Sequence, residues 1–397
     1  MYDLIVIGGG AAGLFAALSA KAANPTAKVA LLEKSSVLLA KVRISGGGRC
    51  NVTHFCFDPE RLIQNYPHGA RELRGPFHRF QPQDTINWFE SRGAALKAES
   101  DGRVFPISDS SETIISVLLN EAKALDLEIL MRQRIEKIEK TDQGFQVGPY
   151  VTRKLILATG SATEGHTWAA YLGHTIQKPV PSLFTFNIPT SPLKELSGIS
   201  HNPVELSILG TSFTQKGPLL ITHFGFSGPA ALKLSAWGAR NLFEHGYKVG
   251  LSVNWLPDKT IPQIFEAFLQ LKKIAPQKTL LAENPFKLPK NPWKTLLNDQ
   301  RRLNDISQKE LQALAQKLNA DIYQVEGKTM NKEEFVTCGG VTLKEVQFKT
   351  MESKICPGLY FAGEILDIDG VTGGFNFQAA WTTGFIAGSS AIDLLHN

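Results

Sequence analysis

Gly8, Gly10 and Gly13 stand at G-x-G-x-x-G spacing directly after the apolar run Leu4-Ile5-Val6-Ile7, and Glu33 follows twenty residues past Gly13. Residues of these types in this order can hold a dinucleotide. The first glycine makes a tight turn, the second lets the backbone approach a pyrophosphate, and the third lets helix and strand pack closely. The free N–H groups and positive dipole end of the following helix then face the phosphates. A carboxylate at Glu33 can accept hydrogen bonds from both hydroxyls of an adenosine ribose and would repel a 2′-phosphate, so FAD or NAD fits and NADP does not.

These residues need a strand, a turn, a helix and a second strand to place them. Tyr2 to Ile7 reads as a buried parallel strand, Ala11 onward as an Ala-rich helix, and Lys28 to Leu32 as the second strand, with Glu33 and Lys34 at its carboxyl end. A lone glycine fingerprint marks many ordinary strand–helix turns; the ordered set with its acid is far more specific.

The chain has 397 residues, which suggests two or three domains. Its 43% hydrophobic and 20% charged composition is that of a soluble globular protein, and a net charge of +5 permits an acidic partner without demanding one. Cys50, Cys56, Cys338 and Cys356 show neither C-x-x-C pairing nor zinc spacing, so a reducing compartment and no metal are expected. The first strand begins at once and no run approaches the ~18 apolar residues of a membrane span, which points to a cytoplasmic protein without membrane partners.

Further along, Lys41 to Asn51 (KVRISGGGRCN) sets a glycine triplet, Gly46, Gly47 and Gly48, among cations. It reads either as a close approach to a flat or anionic group or as a mobile hinge. Pro82-region residues Asp84 to Arg92 and the stretch after Ser110 read as helices, and Lys154 to Leu157 as a strand ending in Ala158-Thr159-Gly160. From Pro179 the texture changes to short β-type runs punctuated by Pro and Gly, the grammar of an antiparallel sheet or small barrel. A helix with Ser227 as N-cap follows, and 261 to 318 is mostly helical. The last section returns to α/β grammar, with Gly358 to Glu364 as a strand and Gly370 to Ala380 opening a closing helix.

The expected architecture is therefore α/β: a Rossmann-type domain built from both chain ends (1–181 and 337–397), an inserted antiparallel β, barrel-like domain (182–260), and a helical subdomain (261–336).

The fingerprint, Glu33, Ala158-Thr159-Gly160 and Tyr360-Phe-Ala-Gly-Glu364 together resemble the two-dinucleotide-binding-domain flavoproteins of the glutathione reductase type. More narrowly, ISGGGRCNVT (Ile44 to Thr53), THFGFSGPA (Thr222 to Ala230), TCGGVTLKEVQFKTMESK (Thr337 to Lys354) and GLYFAGEILDIDGVTGGFNFQAAW (Gly358 to Trp381) resemble the BaiN-like family of FAD-dependent oxidoreductases. The likeness spans nearly the whole chain. It implies that Gly8, Gly10, Ala11, Ala12 and Gly13 hold the FAD pyrophosphate and Glu33 the adenosine ribose, with Lys34 beside it, Ile135 at the adenine and Ala158, Thr159 and Gly160 close by. It implies a flavin-ring loop of Ser45, Gly46, Gly47, Arg49, Cys50 and Asn51, with Lys41 nearby. Gly363 and Glu364 would serve the ribityl–phosphate end. Gly373, Gly374, Phe375, Asn376, Gln378 and Ala379 would bring helix N–H groups to the flavin pyrimidine. The chain departs from the pattern at Leu39-Ala40, where a glycine and a basic residue are expected.

The resemblance implies an FAD-dependent oxidoreductase, read here as an NAD(P)H-dependent reductase of a small carbonyl or enone acceptor. The alternatives are an amine or alcohol oxidase or dehydrogenase, and a flavin-dependent RNA-modifying protein. Candidate catalytic residues are His223 and Thr222 in the insert, and Cys50 if neighbouring cations favour its thiolate. Cys50 and Cys56 flank five residues rather than four, which argues against a redox disulfide. Arg43 and Arg49 can meet an anionic substrate or the flavin phosphate. The basic run Lys272, Lys273, Lys278, Lys287, Lys290, Lys294, Arg301 and Arg302 lacks interleaved aromatics, so it reads as a solvated helical face and nucleic acid is not expected as a partner. The sequence leaves oligomeric state open.

Overall fold

Leu4, Ile5, Val6 and Ile7 are buried because β1 (Tyr2–Ile7) lies inside a parallel sheet with neighbours on both edges. A strand covered on both faces needs a continuous apolar run rather than alternation. The structure, a computed structural model, describes residues 1–330 and 336–393. The chain forms two units, Met1–Val180 with Lys332–Asn397, and Pro181–Asn331.

In the first unit the parallel core runs Leu359–Phe361, Tyr150–Leu157, β1, β2 (Val29–Leu32) and Glu128–Leu130, with antiparallel strands at its periphery. Ile5 faces Ala30 on one side and Leu155 on the other. Between β1 and β2 the chain forms helix α1 (Ala11–Ala23), which packs on the final helix, Phe375–Asp393. Small residues permit that contact. A Cβ on Gly384 would stand 2.6 Å from the Ala12 carbonyl oxygen, and one on Gly388 only 2.0 Å from that of Ala16. Glycines four apart on one helix therefore meet alanines four apart on the other, and the two ends of the chain share one core, as the sequence leads one to expect.

In the second unit six strands close a barrel in the order Thr185–Asn187, Gly225–Ser227, Thr214–Ile221, Ser200–Ile208, Lys248–Asn254 and Asp321–Thr329. Alternate residues point inward: Val204, Leu206 and Ile208 on one strand, Leu251 and Val253 on its neighbour. The barrel expected from the sequence is present, but its closing strand comes from the stretch read as helical subdomain. Helices occupy Ile261–Ile274, Lys290–Leu297 and Gln308–Asn319, after which Asp321–Thr329 pairs with Lys248–Asn254 and Thr185–Asn187. Phe268, Trp293 and Leu311 of those helices share one core with the barrel residues, so barrel and helices fold as a single body. The last residues assigned to the helical stretch, 331–335, lie outside the described residues.

Two local expectations change. Ala40–Gly48, read as a glycine loop, is a helical segment broken by non-helical Ser45, Gly46 and Gly47. Ser227 precedes the helix Gly228–Trp237 but does not cap it with its side chain; its hydroxyl accepts a hydrogen bond from Thr185 Oγ1 at 2.9 Å. Among the described residues no helix is long and apolar enough to cross a membrane.

Candidate cofactor site

Helix α1 begins at a glycine without a side-chain cap, and its first helical hydrogen bond runs from Leu14 N to Gly10 O. The N–H groups of Ala11, Ala12 and Gly13 precede that bond and so lack a helical acceptor. A Cβ on Gly10 would meet nothing within 4 Å, so the helix end opens onto free space. Bare N–H groups, a helix dipole and room in front of them make an anion site. Gly8 turns the chain with φ of 112°, and a Cβ there would lie 2.4 Å from the Ala158 carbonyl oxygen. Gly13 must also be bare, since its Cβ would come within 1.9 Å of Gly8 O.

Beside this helix end an open cleft is bounded by Gly8, Glu33, Lys34, Ile135, Thr159 and Trp168, among others. It lies at the carboxyl ends of the parallel strands, where open α/β sheets bind ligands. Glu33 Oε2 accepts from Gly9 N and Oε1 from Ser35 N, both at 2.7 Å. A carboxylate has about four lone-pair sites, so it can hold these turns and still accept from a ribose. Thr159 Oγ1 is buried without a hydrogen-bond partner, and its residue lines the cleft. Such an orphan is satisfied by a polar ligand, and the donor set as a whole fits a dinucleotide. Lys34 is paired with Glu164 at 2.8 Å, and the loop carrying Ile135 is tied down by Gln133 N donating to Glu33 O at 2.8 Å. The sequence reading missed Gln133, Glu164 and Trp168, which line the same cleft but belong to no local motif.

Replacing Glu33 with Ala removes two charge-assisted acceptors at once. FAD affinity should fall by about 2 kcal/mol, roughly 30-fold in Kd. Fluorescence titration of flavin-stripped protein with FAD checks this; unchanged affinity would remove Glu33 from the site.

The other expected flavin contacts gather around the start of the final helix. Asn51, in the amide orientation that its neighbours require, donates to Thr53 O at 3.0 Å and accepts from Gly374 N at 2.9 Å. Asn376 closes a ring with Gly370 through two hydrogen bonds of 2.8 Å, and Tyr66 OH donates to Phe375 O at 2.6 Å. Glu364 pairs with Lys41 at 2.6 Å and accepts from Thr337 N at 3.1 Å. Gly363 N donates to Thr383 Oγ1 at 2.9 Å, while Gly160 lies next to Glu364 and Ala379 is buried in the helix's first turns. Open space faces Gly47 and Gly48, whereas Gly46 packs against Phe105. Leu39, where the resemblance expects glycine, takes φ of 58°, a left-handed conformation that costs roughly 1–2 kcal/mol with a side chain present.

Other expected site residues already have partners within the protein or lie in particular surroundings. Cys50 is fully buried, and burial pushes its thiol up to about 12, opposed by a hydrogen bond with Ser45; the net rise favours the neutral thiol at neutral pH. All four cysteines are free. Arg49 is held by Glu99 at 2.7 Å and Asp109 at 3.5 Å and lies over the Phe105 ring, while Arg43 pairs with Glu112, so both cations already have protein carboxylates. Gln378 is fully buried, accepting from Thr53 and Thr85 and donating to Thr382, which leaves its side chain structural. In the second unit, Thr222 spends its hydroxyl on its own turn, donating to Gly225 O at 3.1 Å, and His223 next to it is exposed.

A parallel sheet with a bare helix end, and a carboxylate beside it at the carboxyl ends of the strands, is a dinucleotide-binding arrangement of the Rossmann class. The chain belongs to the family described as HI0933-like protein Rossmann domain, whose model matches residues 2–390, and it is an FAD-dependent oxidoreductase. It is similar to the 3-dehydro-bile acid delta(4,6)-reductase of Clostridium scindens, with 28% identity covering 98% of each chain. It is likewise similar to the ribosomal RNA dihydrouridine synthase of Escherichia coli, 31% identical with 98% of each chain covered. Among solved structures, the 3-ketosteroid-delta4-(5alpha)-dehydrogenase of Rhodococcus jostii matches with a TM-score of 0.52 at 14% identity, covering 98% of this chain and 96% of that one, a likeness of fold.

Proposed function

We propose that this enzyme reduces a carbon–carbon double bond conjugated to a carbonyl, using electrons from a reduced nicotinamide. The observation that carries the reading is the bond shared by its two named relatives, each alike over nearly its whole length. A steroid delta(4,6)-reductase and a dihydrouridine synthase are named for saturating alkenes, and the uracil C5=C6 bond, like a 4-en-3-one, is polarised by an adjacent carbonyl. One chemistry covers both.

When bound, the flavin supplies the hydride chemistry, and the protein supplies orientation and electrostatics. The bare N-terminus of α1 would hold the pyrophosphate, Glu33 would orient the ribose, and the N–H groups at the start of the final helix would face the flavin pyrimidine. The sequence has no second G-x-G-x-x-G after a strand, so the nicotinamide is expected to bind transiently.

Anaerobic stopped-flow tests the reading. NADH or NADPH should bleach the flavin band rapidly, and a 4-en-3-one steroid or 2-cyclohexenone should restore it. Bleaching only by an amine or alcohol would overturn the reductase in favour of an oxidase or dehydrogenase.

A second reading, with uracil in ribosomal RNA as the acceptor, is favoured by the names of two whole-length relatives. Four residues of the basic helical run are already engaged within the protein. Lys272 donates to Ile306 O, Lys278 pairs with Glu283, Arg301 with Asp299 and Glu310, and Arg302 with Gln277. Dihydrouridine formed in ribosomal RNA incubated with enzyme and NADPH would select this acceptor over the small molecule.

A further inference from the structure

His68, Cys338 and Asp369 lie far apart in sequence, yet they are the one group among the described residues that brings three metal-ligating side chains within 4.8 Å of one another. We propose that they form a site for a divalent cation of borderline softness, with zinc as the reference ion. His68 Nδ1 stands 2.6 Å from Asp369 Oδ1 and 3.4 Å from Cys338 Sγ. Ligands of a tetrahedral zinc, at about 2.0 Å for nitrogen and oxygen and 2.3 Å for sulfur, stand roughly 3.3–3.6 Å apart. The sulfur–nitrogen pair already has that spacing, and the oxygen–nitrogen pair must open by about 0.7 Å to reach it.

Charge and burial agree with geometry. The Asp369 side chain and Cys338 are fully buried, while His68 remains partly exposed. Metal binding would displace the proton of the Cys338 thiol, so that a carboxylate and a thiolate together match the charge of a dication. The mixture of sulfur, imidazole and carboxylate donors suits zinc better than magnesium or calcium, which prefer oxygen.

The backbone holds the donors ready. His68 and Asp369 are joined by an isolated antiparallel β-bridge, and a Cβ on Gly69 would meet Ile368 at 2.6 Å. Val341, near Cys338 in the strand Val336–Val341, is bridged to Leu366. Three segments are thus stitched into one rigid corner, and three protein ligands leave a fourth position for water or another small oxygen donor, the pattern of an open rather than a closed zinc site. The cluster adjoins the candidate cofactor site through Gly370 and Thr337, but metal binding alone is at issue and does not depend on the proposed reaction.

The test uses the full-length flavoprotein, purified without a polyhistidine tag. After dialysis against zinc and then buffer, metal analysis should find one equivalent per chain. Zinc added back to chelator-treated protein should raise its melting temperature, because a ligand bound only by the folded state stabilises it. Cobalt in place of zinc should add an absorption band to the red of the flavin. In His68→Gln, Cys338→Ala and Asp369→Asn, zinc affinity measured against a chromophoric chelator should fall more than about 100-fold, beyond the range for losing an outer-shell partner. Cys356→Ala is the matched control and should bind as the parent does. If the parent protein binds neither ion, or if binding survives in all three variants, the cluster is only a hydrogen-bonded pin between loops and the proposal falls. The parent's own zinc titration decides the matter even where a variant fails to fold.

Discussion

Gly13→Ala should yield a protein that is colourless and less stable by about 3 kcal/mol, the upper end for forcing a group into a packed interior. The added methyl would come within 1.9 Å of Gly8 O, a backbone atom that cannot swing aside, so α1 must move off β1 and carry the anion site with it. Gly10→Ala provides the contrast. Its methyl meets no protein atom within 4 Å, so the melting temperature should stay close to that of the parent while FAD affinity drops, because the methyl enters space meant for the pyrophosphate. Thermal melts and the visible flavin spectrum of the two purified variants separate these outcomes. If Gly13→Ala retained full flavin and stability, close helix–strand packing could not be the reason for that glycine.

Gly388→Ala should be equally damaging from the other end of the chain. A Cβ at this position would lie 2.0 Å from Ala16 O and 2.8 Å from Ala16 C, and the final helix packs on α1 along that line. Separating two helices buried this deeply costs apolar contact along their whole length, and a loss of about 3 kcal/mol is expected. Limited proteolysis would show early cleavage near the C-terminus in the variant. A protease pattern and melt identical to the parent's would mean that the helices have slack that the packing does not suggest.

The cofactor half of the site was legible because its information is local. Strand, glycines, helix and acid occur within one stretch from Tyr2 to Glu33, and each glycine answers a steric demand visible in the spacing. The barrel's closing strand was not legible. Asp321–Thr329 follows a long helical stretch, and its alternation of buried Asp321, Tyr323 and Val325 with outward-facing residues is too short to stand out from the preceding helix pattern. The direction of the Gln378 side chain was not legible either, because it depends on Thr53 and Thr85, which only the fold brings near. The cluster at His68 lay beyond sequence reading altogether, since His68 and Cys338 are 270 positions apart. Cys50 shows the converse: the cations near it in sequence are visible there, while the burial that raises its thiol is visible only in the fold.

The pairing of Leu359–Phe361 with Tyr150–Leu157, and of the final helix with α1, has a consequence for how the chain is made. The unit spanning Pro181–Asn331 emerges from the ribosome complete and can fold while synthesis continues. The first unit cannot. Its sheet waits with the Leu155–Leu157 end of Tyr150–Leu157 as an open edge, and α1 waits with an uncovered apolar face, until the last strand and helix arrive. That nascent intermediate offers both a strand edge and a greasy helix to chaperones or to neighbouring chains. A circular permutant that moves the final strand and helix ahead of β1 should shorten this exposure and refold with less aggregation.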